Sequence, residues 1–160
     1  MNDRYLYRAK RIDNWVWIVG SLIQAPYLGS IRSWISSEQE DKARLREISS
    51  NQAVWRAFEV RTDTICQCTG KHDIPENKMI YEHDFVSFLD TYSTENGYAE
   101  QYCDGEVLWD DEELCFYVTN RLSAESYEVL DDCKVIGNRF DNPELLEVGC
   151  GQELDWSDEE

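Results

Sequence analysis

At 160 residues, the chain is long enough to bury roughly two thirds of its unfolded surface in one domain, and its 12% aromatic content argues against intrinsic disorder. A net charge of -18 disfavours direct binding of nucleic acid or anionic lipid. No apolar run approaches the roughly 18 residues that cross a bilayer, and Met1-Asn2-Asp3-Arg4-Tyr5 leads into charges rather than a signal core, so no membrane partner and a cytoplasmic location are expected.

In chain order, residues 5–9 predict a short strand, Ile12-Asp13-Asn14 a turn, and 15–19 a second strand of a hairpin that 20–26 could continue. Residues 38–48 carry Ala43, Leu45 and Ile48 at helical spacing and predict a short surface helix. Residues 54–60 and 85–89 read as strands on composition. Residues 106–109 join 114–118 through the acidic turn Asp110-Asp111-Glu112-Glu113 as a hairpin, and 127–130 and 134–138 predict two more short strands. Asn142-Pro143-Glu144-Leu145-Leu146 has a cap followed by Pro at the first helical position, which predicts a short C-terminal helix. The expected architecture is mainly β with minor α: five to eight short strands in a small barrel or roll. Residues 1–150 read as one domain, and 151–160 as an acidic tail that stays disordered without a partner.

Charge is unevenly placed. Residues 1–50 sum to +2 and 51–81 to zero, while 82–160 hold 3 Lys and Arg against 23 Asp and Glu, a net of -20. One explanation is solubility. The functional one is a surface for a basic macromolecule, with Asp104, Glu106, Trp109, Asp110, Asp111, Glu112, Glu113, Asp131 and Asp132 as the contact residues and Tyr98, Tyr102 and Trp156 interleaved.

Chemistry-bearing patterns are sparse. In a reducing cytoplasm the six cysteines are expected as free thiols, with Cys115 a small core hydrophobe. Cys66-x-Cys68-x3-His72 places three zinc-compatible ligands together, with His83, Cys103 or Cys133 open as a fourth. Only one residue separates the two cysteines, where structural zinc sites commonly have two to four. Zinc, if bound, would be structural; unliganded thiols beside a turn are the competing reading. A Cys68 and His83 dyad lacks any flanking motif, adjacent carboxylates arise readily among 33 acids, and no phosphate-binding glycine loop is present, so no enzymatic activity is expected.

The segment Cys68-Thr69-Gly70-Lys71-His72-Asp73, the segment Lys78-Met79-Ile80-Tyr81-Glu82-His83-Asp84-Phe85-Val86, and the segment Val135-Ile136-Gly137-Asn138-Arg139-Phe140-Asp141-Asn142-Pro143-Glu144-Leu145-Leu146 together resemble the YopX family of phage and prophage proteins. Arg8-Ala9-Lys10 and Trp17 resemble its N-terminal strand pair. Cys68 stands where that family usually has tyrosine, and His83 where it usually has glycine. The resemblance implies a β-barrel-like domain of phage origin, leaves homo-oligomers open, and implies no shared catalysis. Thr69-Gly70 suits a positive φ, His83 would have to tolerate one, and Tyr81 with Asp84 could fix the start of a strand. Joined to the charge, this gives the functional expectation: an acidic phage protein that inhibits a host nucleic-acid-acting defence enzyme, in its specific form an anti-CRISPR protein that keeps target DNA off an RNA-guided nuclease. The alternatives are a homo-oligomeric phage accessory or assembly protein and a structural-zinc interaction module.

Overall fold

Ala9, Ile18, Ile35 and Val60 are the residues around which the first part of the chain folds, with Tyr7, Leu22, Phe58 and Ile65 packed beside them. The computed structural model describes residues 3–37, 57–119, 126–128 and 133–147. It divides into two compact units, Met1–Gly70 and Lys71–Glu160. Residues 38–56 are outside the described set, so the helix expected at 38–48 and the start of the strand expected at 54–60 fall there, and the acidic tail at 151–160 likewise lies outside the described residues.

In the first unit, a 3-10 turn at Asp3–Tyr5 precedes β1 (Leu6–Lys10), β2 (Trp17–Tyr27), β3 (Ser30–Ser36) and β4 (Ala57–Val60). Alternation sets the faces. Tyr7 and Ala9 point to the core from β1, whereas Arg8 and Lys10 stack on the Trp17 ring at 4.7 and 5.2 Å. The predicted first hairpin is present, with its turn held by Arg11 N–H donating to the Val16 carbonyl at 3.0 Å. β2 then runs further than a short strand, and its hairpin with β3 was not visible in the sequence. The two turn residues, Leu28 and Gly29, both have positive φ (47° and 82°), the conformation that matches strand twist in a two-residue hairpin. Pro26 is tolerated because β1 pairs with β2 only at 17–21, so that among the described residues β3 is the one neighbour of β2 at that point.

β5 (Cys66–His72) carries the chain from one unit to the other, and β6 (Met79–Tyr81) follows across a turn in which Asp73 N–H donates to the Lys78 carbonyl at 2.7 Å. The first sheet runs β4-β3-β2-β1-β5-β6. The second unit continues with β7 (Asp84–Thr94), β8 (Gly97–Asp110), β9 (Cys115–Thr119), β10 (Ser126–Glu128) and β11 (Lys134–Asn138), in the order β10-β9-β8-β7-β11. Its core is Ile80, Val86, Phe88, Cys103, Val107, Val118 and Cys133.

The class is mainly β, as expected, but among the described residues the expected barrel is not formed: each sheet keeps two separate outer strands. A lone bridge between Arg11 and Val60 draws one corner of the first sheet together without closing it. The expected C-terminal helix is reduced to α1 (Glu144–Glu147), one turn long. Cys115 is also corrected. It is exposed, because it lies directly across the hairpin from Asp110 beside the acidic turn, while Val118 supplies the core contact of β9. No helix among the described residues is long and apolar enough to cross a membrane.

Candidate functional site

The sequence motifs at 80–86 and 135–146 meet around one buried carboxylate. Glu106 lies on β8, where the neighbouring Gly105 permits close approach: a Cβ there would stand 1.9 Å from the Thr119 carbonyl oxygen. The Glu106 side chain is only 6% exposed and receives both nitrogens of Arg139, Nε at 2.7 Å and Nη2 at 2.9 Å. The paired planar geometry is the strong form of a charge-assisted bond. Arg139 is 45% exposed, so the pair has a buried acid and a wet base.

His83 is the third member. Its Nδ1 is 3.9 Å from Glu106 Oε1, beyond hydrogen-bond length, and its ring meets Phe140 edge-on at 5.9 Å. Its φ of 68° confirms that the position needs a left-handed backbone. Main-chain bonds fix the three together: His83 N–H donates to Val107 O at 2.7 Å, and Arg139 N–H to His83 O at 3.1 Å. Beside them, Asp84 Oδ2 accepts the Tyr81 N–H at 2.8 Å, the strand-start contact expected from sequence. On the other side, Asn138 Oδ1 accepts from Phe140 and Asp141, both at 2.9 Å, and Asn142 Oδ1 accepts from Asn138 N–H at 3.2 Å. Burial would raise the Glu106 pKa, but His83 and Arg139 outweigh it and hold the carboxyl down to about 2.

Glu106 is therefore corrected. It is a buried structural anion rather than part of an outward acidic face. The sequence could not show this, since Arg139 and His83 lie 33 and 23 positions away with no spacing rule to connect them. Asp104, two residues earlier, is exposed. Trp109 is half-buried, edge-on to Phe116 at 4.9 Å, and its Nε1 donates to Asp111 Oδ1 at 2.8 Å. Asp110 Oδ1 accepts the N–H groups of Glu112 at 2.8 Å and Glu113 at 3.1 Å. Two of the four turn carboxylates thus hold the turn, and Glu112 and Glu113 extend from it into solvent. Asp131, Asp132 and Trp156 lie outside the described residues.

The expected metal ligands are on β5. Cys66 and Cys68 are fully buried on one face, but Gly70, at φ 83°, breaks the alternation before His72. Cys66 Sγ donates to Thr64 O at 3.3 Å, and Cys68 Sγ accepts the Gly70 N–H at 3.3 Å. Burial raises the Cys68 pKa, against the Gly70 bond and with the help of Asp3, which keeps it a thiol. Among the described residues no three His, Cys, Asp or Glu side chains are gathered closely enough to hold a metal. Cys66, Cys68 and His72 are consecutive on one strand but not assembled as ligands, and neither His83, Cys103 nor Cys133 completes a set.

The family model described as YopX protein matches residues 6–147. Neither the curated proteins nor the solved structures give a match to the chain.

Proposed function

We propose that this chain, which belongs to the YopX family and so to phage-type proteins, is a non-enzymatic acidic binding protein that inhibits a host enzyme acting on nucleic acid. The observation that carries the reading is charge segregation. Residues 71–160, the second unit, hold 25 Asp and Glu against 5 Lys and Arg, whereas the first unit is near balance. Between positions 79 and 120 there are 11 acids and no Lys or Arg, so β7, β8 and β9 form a surface with no cation of their own. Solubility alone would be served by acids spread over both units. A concentrated field attracts a partner lined with Lys and Arg and speeds encounter with it.

In its specific form the partner is an RNA-guided nuclease of the bacterial host, which holds its nucleic acids on positively charged surfaces through their backbones. Occupation of that surface in the host cytoplasm keeps target DNA from loading, an anti-CRISPR action. Asp104, Glu112 and Glu113 are the residues to reverse, because Asp110, Asp111 and Glu106 hold structure. Micromolar wild-type protein should block DNA loading and cleavage, and Glu112→Lys with Glu113→Lys should relieve the block. Unchanged loading by the host's own RNA-guided nucleases sinks the specific form.

A homo-oligomeric phage accessory protein is the second reading, and one observation favours it. The far end of the β2–β3 hairpin exposes Ile23, Tyr27, Leu28 and Ile31, with Leu28 89% exposed. Light scattering on the purified chain separates the two: a large stable oligomer that persists in high salt supports assembly, and a monomer supports the inhibitor.

A further inference from the structure

The β7–β8 hairpin outruns its neighbours. β11 pairs with β7 only at residues 84–87, and β9 with β8 only at 107–110, while β7 and β8 stay in register with each other out to Thr94 and Gly97. Among the described residues, 88–94 and 97–103 therefore pair only with one another, as a two-stranded ribbon about 23 Å long at strand rise. On β8, Tyr98, Glu100, Tyr102 and Asp104 occupy alternate positions and share one face. All four are exposed, the two rings at 82% and 72%. Neighbours along this face are about 7 Å apart. Across from them on β7 stand Ser93, Thr91, Leu89 and Ser87, three of them too short to cover the rings.

Resting on the reading that the chain binds a basic partner, we infer that this face of β8 is the contact surface and that it fits a groove built for single-stranded nucleic acid. Two kinds of basic groove are available to an acidic protein. Those that hold a duplex or heteroduplex meet its backbone with cations and polar groups, and its stacked bases need no aromatic platform. Those that hold a single strand combine Lys and Arg along the backbone with aromatic platforms on which bases stack. A ribbon that alternates carboxylate and ring supplies a counterpart for both features of the second kind: Glu100 and Asp104 for the cations, Tyr98 and Tyr102 for the platforms. In the first kind the two exposed rings would have no partner. The absence of any Lys or Arg from 79 to 120 removes the repulsion that a cation on the ribbon would introduce. Within an RNA-guided nuclease, the corresponding place is the groove that holds the displaced strand rather than the heteroduplex channel.

The test sets the full chain against two probes: a bacterial single-stranded-DNA-binding protein of OB fold holding a fluorescent oligothymidine, and a histone-like protein holding a fluorescent duplex. The chain should displace the single strand at a concentration at least about tenfold lower than it displaces the duplex. Replacing both rings, Tyr98→Ala with Tyr102→Ala, should raise the single-strand midpoint by about tenfold or more, the scale of lost aromatic stacking. Tyr98→Phe with Tyr102→Phe should retain displacement, and circular dichroism of each variant should match the wild type. Equal displacement of both probes, or indifference to the two rings, overturns the inference and leaves a binder driven by charge alone. No displacement of the single strand also overturns it, while the DNA-loading assay on the host nuclease decides separately whether the basic-partner reading stands.

Discussion

A bidentate ion pair with one buried and one wet partner behaves asymmetrically when cut. Removing Arg139 leaves the Glu106 carboxylate inside with no countercharge in bonding distance, since His83 stays 3.9 Å away. Arg139→Ala should therefore cost about 3 kcal/mol in denaturant unfolding, the range for an orphaned buried charge. Glu106→Gln should cost less, about 1–2 kcal/mol, because the half-exposed guanidinium can turn to water. The pH sign follows from the depressed carboxyl. With a folded pKa near 2 against 4.5 unfolded, Glu106 adds stability that is fully present above about pH 4.5 and is lost as pH falls toward 2. At full linkage the shift is about 3 kcal/mol, and screening at the exposed Arg139 reduces it to about 2. Urea midpoints measured from pH 6 to pH 2 should fall more steeply for the wild type than for Glu106→Gln; parallel curves would remove the pair as the cause. At this scale the sequence was informative about backbone and silent about partners. The positive φ of Gly70 and His83 and the Tyr81 contact with Asp84 were legible in the motifs, because each is a local rule. The salt bridge was not, because it depends on which strands become neighbours.

Elements were legible where alternation and turn chemistry agreed, as at β1, β9 and β11. The β2–β3 hairpin was missed because Leu28-Gly29 lacks the Asn or Asp that marks such turns, and the outer half of β8 because Gly97 to Tyr102 is too polar on both faces to read as a strand. The missed β8 half includes the face proposed as the contact surface, and its signal was there in the spacing of Tyr98, Glu100, Tyr102 and Asp104. The three β5 residues that read as a metal motif are close in sequence, but a positive φ at Gly70 intervenes before His72, and among the described residues no ligand set is gathered. Metal analysis of protein purified without a nickel column should accordingly find zinc well below one equivalent per chain. Two glycine and turn substitutions separate local from tertiary constraint. Leu28→Asn should stabilise the protein by about 0.5–1 kcal/mol, since Asn accepts a left-handed φ that Leu resists, and it removes an exposed apolar side chain. Gly105→Ala should destabilise by about 3 kcal/mol or more, because its Cβ would strike the Thr119 carbonyl and Val118 Cγ1, which the sheet holds in place. Thermal melts of the two variants should move in opposite directions.

For the molecule as a whole, the concentration of negative charge in one unit acts twice, with opposite signs. Inside the second unit a net charge of -20 repels itself, since only Lys71, Lys78, Arg121, Lys134 and Arg139 offset 25 acids. Salt at physiological strength screens charges beyond about 8 Å, so moving from low salt toward this level should relieve the repulsion and raise the melting temperature. The same screening weakens attraction between this surface and a Lys- and Arg-lined groove, so the complex should loosen over the same salt range, chiefly through slower association. An assembly held by the apolar end of the β2–β3 hairpin has no such opposition: salt would leave it intact or strengthen it. Measuring melting temperature and complex affinity in one salt series thus discriminates between the two functional readings without naming the partner. Rising stability with falling affinity supports the acidic inhibitor. Rising stability with unchanged or tighter association would show that the charge serves solubility and that the working surface is the apolar one.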